Sequence, residues 1–111
     1  MATKANLVID QGSTFATELT LTDENGDVLN LNGFNANSQM RKWYTSSAPS
    51  ATFATSINVA SGTITLSLNA TSTASLTAGR YVYDVEITDV TSGDISRVVE
   101  GIITVSPNVT R

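Results

Sequence analysis

Residues 80–88 read Arg80-Tyr-Val-Tyr-Asp-Val-Glu-Ile-Thr88, and they alternate without a break. Tyr81, Tyr83, Val85 and Ile87 fall on one face; Val82, Asp84 and Glu86 fall on the other. A period of two, with aromatic and β-branched residues on one side and acids on the other, describes a β-strand with one buried face. The loop Asp89-Val-Thr-Ser-Gly-Asp94 then returns the chain into residues 95–105, ISRVVEGIITV. Apolar residues lie on both faces of this last segment, which is expected of a strand in mid-sheet or beneath a cover.

The same alternation recurs upstream. Residues 5–11 form a short first strand with Leu7 and Ile9 on one face and Val8 on the other, ended by Gly12. Residues 13–23 put Phe15, Thr17, Leu19 and Leu21 on one face. Asn25-Gly26 follows, a pair that accepts positive φ and signals a tight hairpin, with Val28, Leu29 and Leu31 as the return strand. After the Asn32-Gly33 turn, residues 36–44 form a strand with Ala36, Ser38, Met40 and Tyr44 inward and Arg41 and Trp43 outward. Trp43 is the single tryptophan, and a core place for it is the favoured reading, with an exposed anchor as the alternative. A Ser/Pro loop at 45–52 leads to a strand at 53–59, and Ala60-Ser-Gly62 turns it into Ile64, Leu66 and Leu68, a second hairpin. Residues 69–79 hold at most a helical turn, capped by Asn69, with Leu76 inward and Gly79 as its stop.

About seven or eight short strands with turns every ~8–12 residues predict an all-β fold, an antiparallel immunoglobulin-like β-sandwich occupying residues 1–111 as a single domain. A small barrel is the nearest rival. Either Tyr81 or Tyr83 can serve as a corner tyrosine. Composition agrees, since 17 Thr and 13 Ser in 111 residues suit pleated, half-solvated strands.

Composition also excludes chemistry. The chain has no Cys and no His, so Ser-His-Asp and Cys-His nucleophilic sites and Cys/His zinc centres are ruled out. A net charge of −4 and a pI near 4.4 oppose binding to nucleic acid or to an anionic membrane. The start of the chain carries no Sec signal, and no apolar run is long enough to span a bilayer. Asp84 and Glu86 share a strand face and have the spacing of an acid and base pair, but cross-strand pairing with Arg97 or Arg80 is the expected role. Asp23-Glu-Asn-Gly-Asp27 has the opening of a calcium loop but Val28 where the turn glycine belongs and Phe34 where the bidentate Glu belongs. It reads as a polar hairpin tip. The sequons Asn69-Ala-Thr71 and Asn108-Val-Thr110 matter only in a secretory compartment. No catalytic residue, cofactor or metal is expected. The possible interface residues are Arg41, Trp43 and Tyr44, of types enriched at hot spots, with Val98 and Ile102 on the face of the last strand opposite Val99, Ile103 and Val105.

The order of motifs carries a resemblance: Leu7-Val-Ile-Asp-Gln-Gly12 with Phe15, the 23–27 tip before Leu29-Asn-Leu31, Gly62-Thr-Ile-Thr-Leu66, Leu76-Thr-Ala-Gly-Arg-Tyr81 with Asp84, and Gly101-Ile-Ile-Thr-Val105. It resembles the small Thr-rich virion structural proteins of T4-like tailed phages of marine bacteria, cyanophages especially. More distantly it is similar to the immunoglobulin-like N-terminal domain of siphophage upper baseplate proteins. The resemblance implies a non-enzymatic bacteriophage component of capsid, neck, tail or baseplate. Such a component sits in the virion, assembled in the host cytoplasm, in multiple symmetric copies against other virion proteins. Docking is expected through sheet edges or the polar termini, residues 1–6 and 106–111. A carbohydrate or cell-surface binding module built on an exposed aromatic patch is the competing expectation.

Overall fold

The computed structural model describes residues 3–22 and 25–109, so Asp23 and Glu24 of the polar tip lie outside it, as do residues 1–2 and 110–111. Ten elements follow in order: β1 Thr3–Lys4, β2 Leu7–Asp10, β3 Phe15–Thr20, β4 Phe34–Arg41, β5 Ala51–Thr52, β6 Ala54–Asn58, β7 Thr63–Leu68, α1 Ala70–Ala74, β8 Gly79–Asp89 and β9 Ile95–Ser106. The protein is mostly β, and its strands form two sheets. The larger runs β1-β9-β8-β4-β5, with β2 also along the β9 edge, and the smaller runs β3-β7-β6. Pairing is antiparallel except at the opening strands, where β1 and β2 run parallel to β9.

The alternation read in residues 80–88 is what builds the core. Tyr81, Tyr83, Val85 and Ile87 of β8 are buried, and so are Ile64, Leu66 and Leu68 of β7 on the other sheet. Phe53 lies between the layers, 6.0 Å from Phe15 of the small sheet and 6.4 Å from Tyr83 of the large one, centroid to centroid. Tilted and edge-on rings at this separation are favourable aromatic pairs. Ile9, Met40, Ile103 and Val105 complete the large-sheet side of one shared core.

Several expectations hold locally. Asn69 Oδ1 accepts from the Ser72 amide at 2.8 Å and caps α1, and Leu76 is buried behind it. The hairpin of β6 and β7 forms with Ile57 opposite Ile64. The last strand does lie in mid-sheet, between β8 and the opening strands.

Others are corrected. Among the described residues, the Asn25-Gly26 turn closes one bridge, Thr22 to Val28, followed by the Leu29 amide on the Leu21 carbonyl. Leu29 and Leu31 do not continue as a return strand because β7 already occupies the inner side of β3 along its whole length. The segment instead crosses the end of the core, where Leu31 is buried, and feeds β4 in the other sheet. The strand expected over 36–44 ends at Arg41, so Tyr44 is exposed where it was expected inward. The strand expected over 53–59 is shorter, β6 in the small sheet, while Ala51–Thr52, expected in the loop, form β5 on β4 and Phe53 crosses between the layers. Val59, beyond the end of β6, is exposed.

The first strand is also interrupted, between β1 and β2. Asn6 Oδ1 accepts the Ile102 amide at 3.1 Å, and the Ala5 carbonyl accepts the Tyr83 hydroxyl at 2.6 Å. Gly101 allows this approach, since a Cβ there would collide with the Ala5 carbonyl oxygen.

Candidate functional site

Alternation that sends the tyrosines of β8 inward sends Val82, Asp84 and Glu86 outward onto an exposed sheet face. The ladder sets them in rows: Asn37, Glu86 and Arg97; Gln39, Asp84 and Glu100; Arg41, Val82 and Ile102. Arg97 is the pivot of the charged rows. Its Nε lies 3.3 Å from Asp84 Oδ2 and its Nη1 3.5 Å from Glu100 Oε2, so one guanidinium serves two carboxylates on neighbouring strands. These are half-exposed pairs, worth about 0–1 kcal/mol each. The expected partnership of Asp84 with Arg97 is therefore present, and Glu86 stands opposite Arg97 in the ladder.

At the end of β4 the chain folds over this face. Ser46 ties the turn: its amide donates to the Trp43 carbonyl, its hydroxyl accepts the Trp43 amide, both at 3.1 Å, and its carbonyl accepts Arg41 Nη1 at 2.8 Å. Arg41 Nη2 also donates to Gln39 Oε1 at 2.9 Å. Held in this turn, Trp43 is 67% exposed and Tyr44 81% exposed. The favoured core place for Trp43 is thus overturned. That end of the core is closed instead by Tyr81, over whose ring Lys42 Nζ sits 4.9 Å from the centroid, a cation–π contact. The indole lies beyond the last ladder pair, Arg41 with Val82.

Between the turn and β9 lies an open groove of about 350 Å³, with Gln39, Arg41, Tyr44, Asp84, Arg97 and Glu100 among its walls. It joins two of the residues expected at a protein interface to the two charged rows. Arg41 and Tyr44 line it, and Trp43 lies in the turn beside them. Val98 and Ile102 are separated. A bulge between Val85 and Glu86 skips Val98 in the ladder, and Val98 packs partly against the core. Ile102 stays on the outer face, 40% exposed. The bulge breaks the parity on which their shared face was based.

The donor and acceptor set is rich, and it suits binding. Guanidinium, amide and carboxylate groups stand beside an exposed phenol and indole, an inventory for polar recognition with stacking. Among the described residues, no group of three or more carboxylates is placed to hold a metal ion, and no helix is long and apolar enough to cross a membrane. Tyr83, directly beneath the groove, is pushed up to about 12 by burial. Comparison with known proteins returns no matching protein-family model and no matching curated sequence.

Proposed function

We propose that this chain is a non-enzymatic structural module of a tailed-phage virion, an immunoglobulin-like sandwich that docks on neighbouring virion proteins in several symmetric copies. Three features support the immunoglobulin-like form. The small sheet, β3-β7-β6, has the order of strands B, E and D of that fold, and β9-β8-β4-β5 has the order of G, F, C and C′. The opening strand β2 lies beside the last strand. The Tyr81 hydroxyl donates to the Thr77 carbonyl at 2.6 Å, four residues upstream at the entry to β8, as a corner tyrosine does.

The observation that carries the docking role is the exposed Trp43-Tyr44 turn beside Arg41. Large aromatic side chains on a turn braced by hydrogen bonds lose little entropy on binding, and Trp, Tyr and Arg dominate interface hot spots. The non-enzymatic reading is supported by Arg97, which occupies Asp84 and Glu100 in a groove open to water, so neither carboxylate is set apart for proton transfer. The virion assignment rests on the motif order described above.

A second reading, a carbohydrate or cell-surface binding module, is favoured by the same exposure of Trp43, which offers a stacking platform next to the hydrogen-bonding groups of Gln39 and Arg41. Quantitative mass spectrometry of purified virions separates the two. A copy number near that of the major capsid protein indicates capsid decoration, and a low one indicates a tail, neck or baseplate ring. Absence of the chain refutes the virion role, and glycan-array binding lost on Trp43→Ala would then establish the second reading.

A further inference from the structure

The two layers are sealed along one side and open along the other. On the sealed side, three β4 carbonyls that face away from β8 are taken. Ala36 accepts Thr55 Oγ1 at 2.9 Å, Ser38 accepts the Phe53 amide at 2.9 Å, and Met40 accepts the Ser50 amide at 2.7 Å. The chain stitches this edge itself as it crosses from β5 to β6.

The opposite side is formed by β2 and β3. In the parallel ladder the amides of Ala5 and Gln11 donate to β9, at Glu100 and Ser106, so those of Asn6, Val8 and Asp10 point away from it. In β3 the antiparallel register and the Leu21 amide on the Gly62 carbonyl direct odd-numbered backbone groups to β7. The amides and carbonyls of Ala16, Glu18 and Thr20 therefore face the open edge. Between the two strands lies a cleft of about 360 Å³, with Leu7, Val8, Asp10, Phe15, Ala16 and Thr17 among its lining residues. Phe15, Thr17 and Leu19 point into the core yet remain half-buried, whereas Ile64 and Leu66 of the adjacent strand are fully buried.

We propose that this seam receives an extended, basic segment of a neighbouring polypeptide, added antiparallel to the free edge of β3. The proposal rests on the assembly role above and names the partner's chemistry. A row of alternate free backbone groups is matched by another extended backbone, and the half-buried core positions call for apolar residues at every second place. The exposed charges of β2 and β3 are Asp10 and Glu18, both acidic. They select a Lys or Arg on the incoming strand. They also disfavour a second copy of β3, because a two-fold pairing centred on the edge sets Glu18 against Glu18 and like charges directly opposite are destabilising.

The test is a titration of ¹⁵N-labelled protein with the peptide Val-Thr-Val-Lys-Val-Thr-Val and with its counterpart carrying Glu at the centre. Hydrogen exchange at Ala16, Glu18 and Thr20 should slow on binding, with the Lys peptide bound about fivefold more tightly or better. Glu18→Lys should reverse the preference. Ala16→Pro removes a donor that faces away from β7, so the protein should fold and the binding should disappear. Equal affinity for both peptides, saturation that leaves these three amides unchanged, no binding at millimolar peptide, or a dimer of the wild type through β3 would each overturn the proposal. Absence of the chain from virions would refute the assembly role and leave these results as they stand. Presence in virions with no peptide binding would refute the seam alone.

Discussion

Removing one oxygen, in Tyr83→Phe, tests how the opening of the chain is held to the large sheet. The hydroxyl is buried and donates to the Ala5 carbonyl at 2.6 Å across 78 positions of sequence. Loss of a single such bond, leaving a part-buried carbonyl short of a partner, costs about 1–2 kcal/mol at neutral pH. For a domain of this size that is a fall in Tm of about 4–10 °C.

The alkaline limb carries the opposite sign. Burial raises the phenol of Tyr83 from 10.0 to about 12, so the folded state holds its proton more tightly than the unfolded state does. Its contribution is complete below pH 10 and is lost as pH rises toward 12, at about 1.4 kcal/mol per pH unit. Wild type therefore gives up about 2 kcal/mol over this window from this group, and the Phe variant gives up none. Urea titrations followed by circular dichroism at pH 7, 10, 11 and 12 should show the wild type more stable at pH 7 and the difference closing or inverting by pH 12. Curves that stay parallel across the window would show that Tyr83 is not the buried, proton-holding anchor described.

Three further outcomes are expected. Gly62→Ala should destabilise the fold by about 1–3 kcal/mol in chemical denaturation, because Gly62 has φ +64° and a Cβ there would collide with Val28 Cγ1; a neutral result would show that the 28–29 segment does not run against it. Thr73→Val should cost a similar amount, about 1–3 kcal/mol, since the buried hydroxyl accepts the Gly12 amide at 3.1 Å and donates to the Ser13 carbonyl at 2.8 Å, pinning the turn after β2 to α1. Trp43→Ala combined with Tyr44→Ala should leave Tm within about 3 °C of wild type, as expected of exposed side chains, and, under the docking role proposed above, should abolish retention on the virion; a large loss of stability would mean that the indole is packed.

Much of the fold was legible because its signal is local. A period of two in 80–88, 63–68 and 13–23 places each side chain on a face before any partner is known, and Tyr81, Ile64 and Leu19 all point as their parity requires. The Asn69 cap was legible for the same reason, since it involves residues three apart. The candidate site was legible only in part. Arg41, Trp43 and Tyr44 stand out by residue type, but whether Trp43 enters the core depends on where β4 stops, and the turn that stops it is tied by Ser46, a residue with no special signature in a Ser-rich loop. Val98 could not be assigned correctly from parity because one bulge shifts every residue on one side of it.

Sequence alone determined that this chain is built of strands with one apolar face, and that Cys- and His-based chemistry is closed to it. Both are properties of residue type and spacing, which hold whatever the chain packs against. Tertiary structure alone decided which strands are neighbours. Strand β3 could have closed a hairpin with 28–31, and it pairs with β7 because Ile64, Leu66 and Leu68 supply a longer apolar face than Leu29 and Leu31. Strand β2 lies parallel to β9, nearly a hundred residues away, because Ile103 and Val105 leave room there for Leu7 and Ile9 and because Gly101 lets Ala5 reach Tyr83. Strand order is a choice among competing long-range contacts, and it settles which edges the chain covers with its own segments.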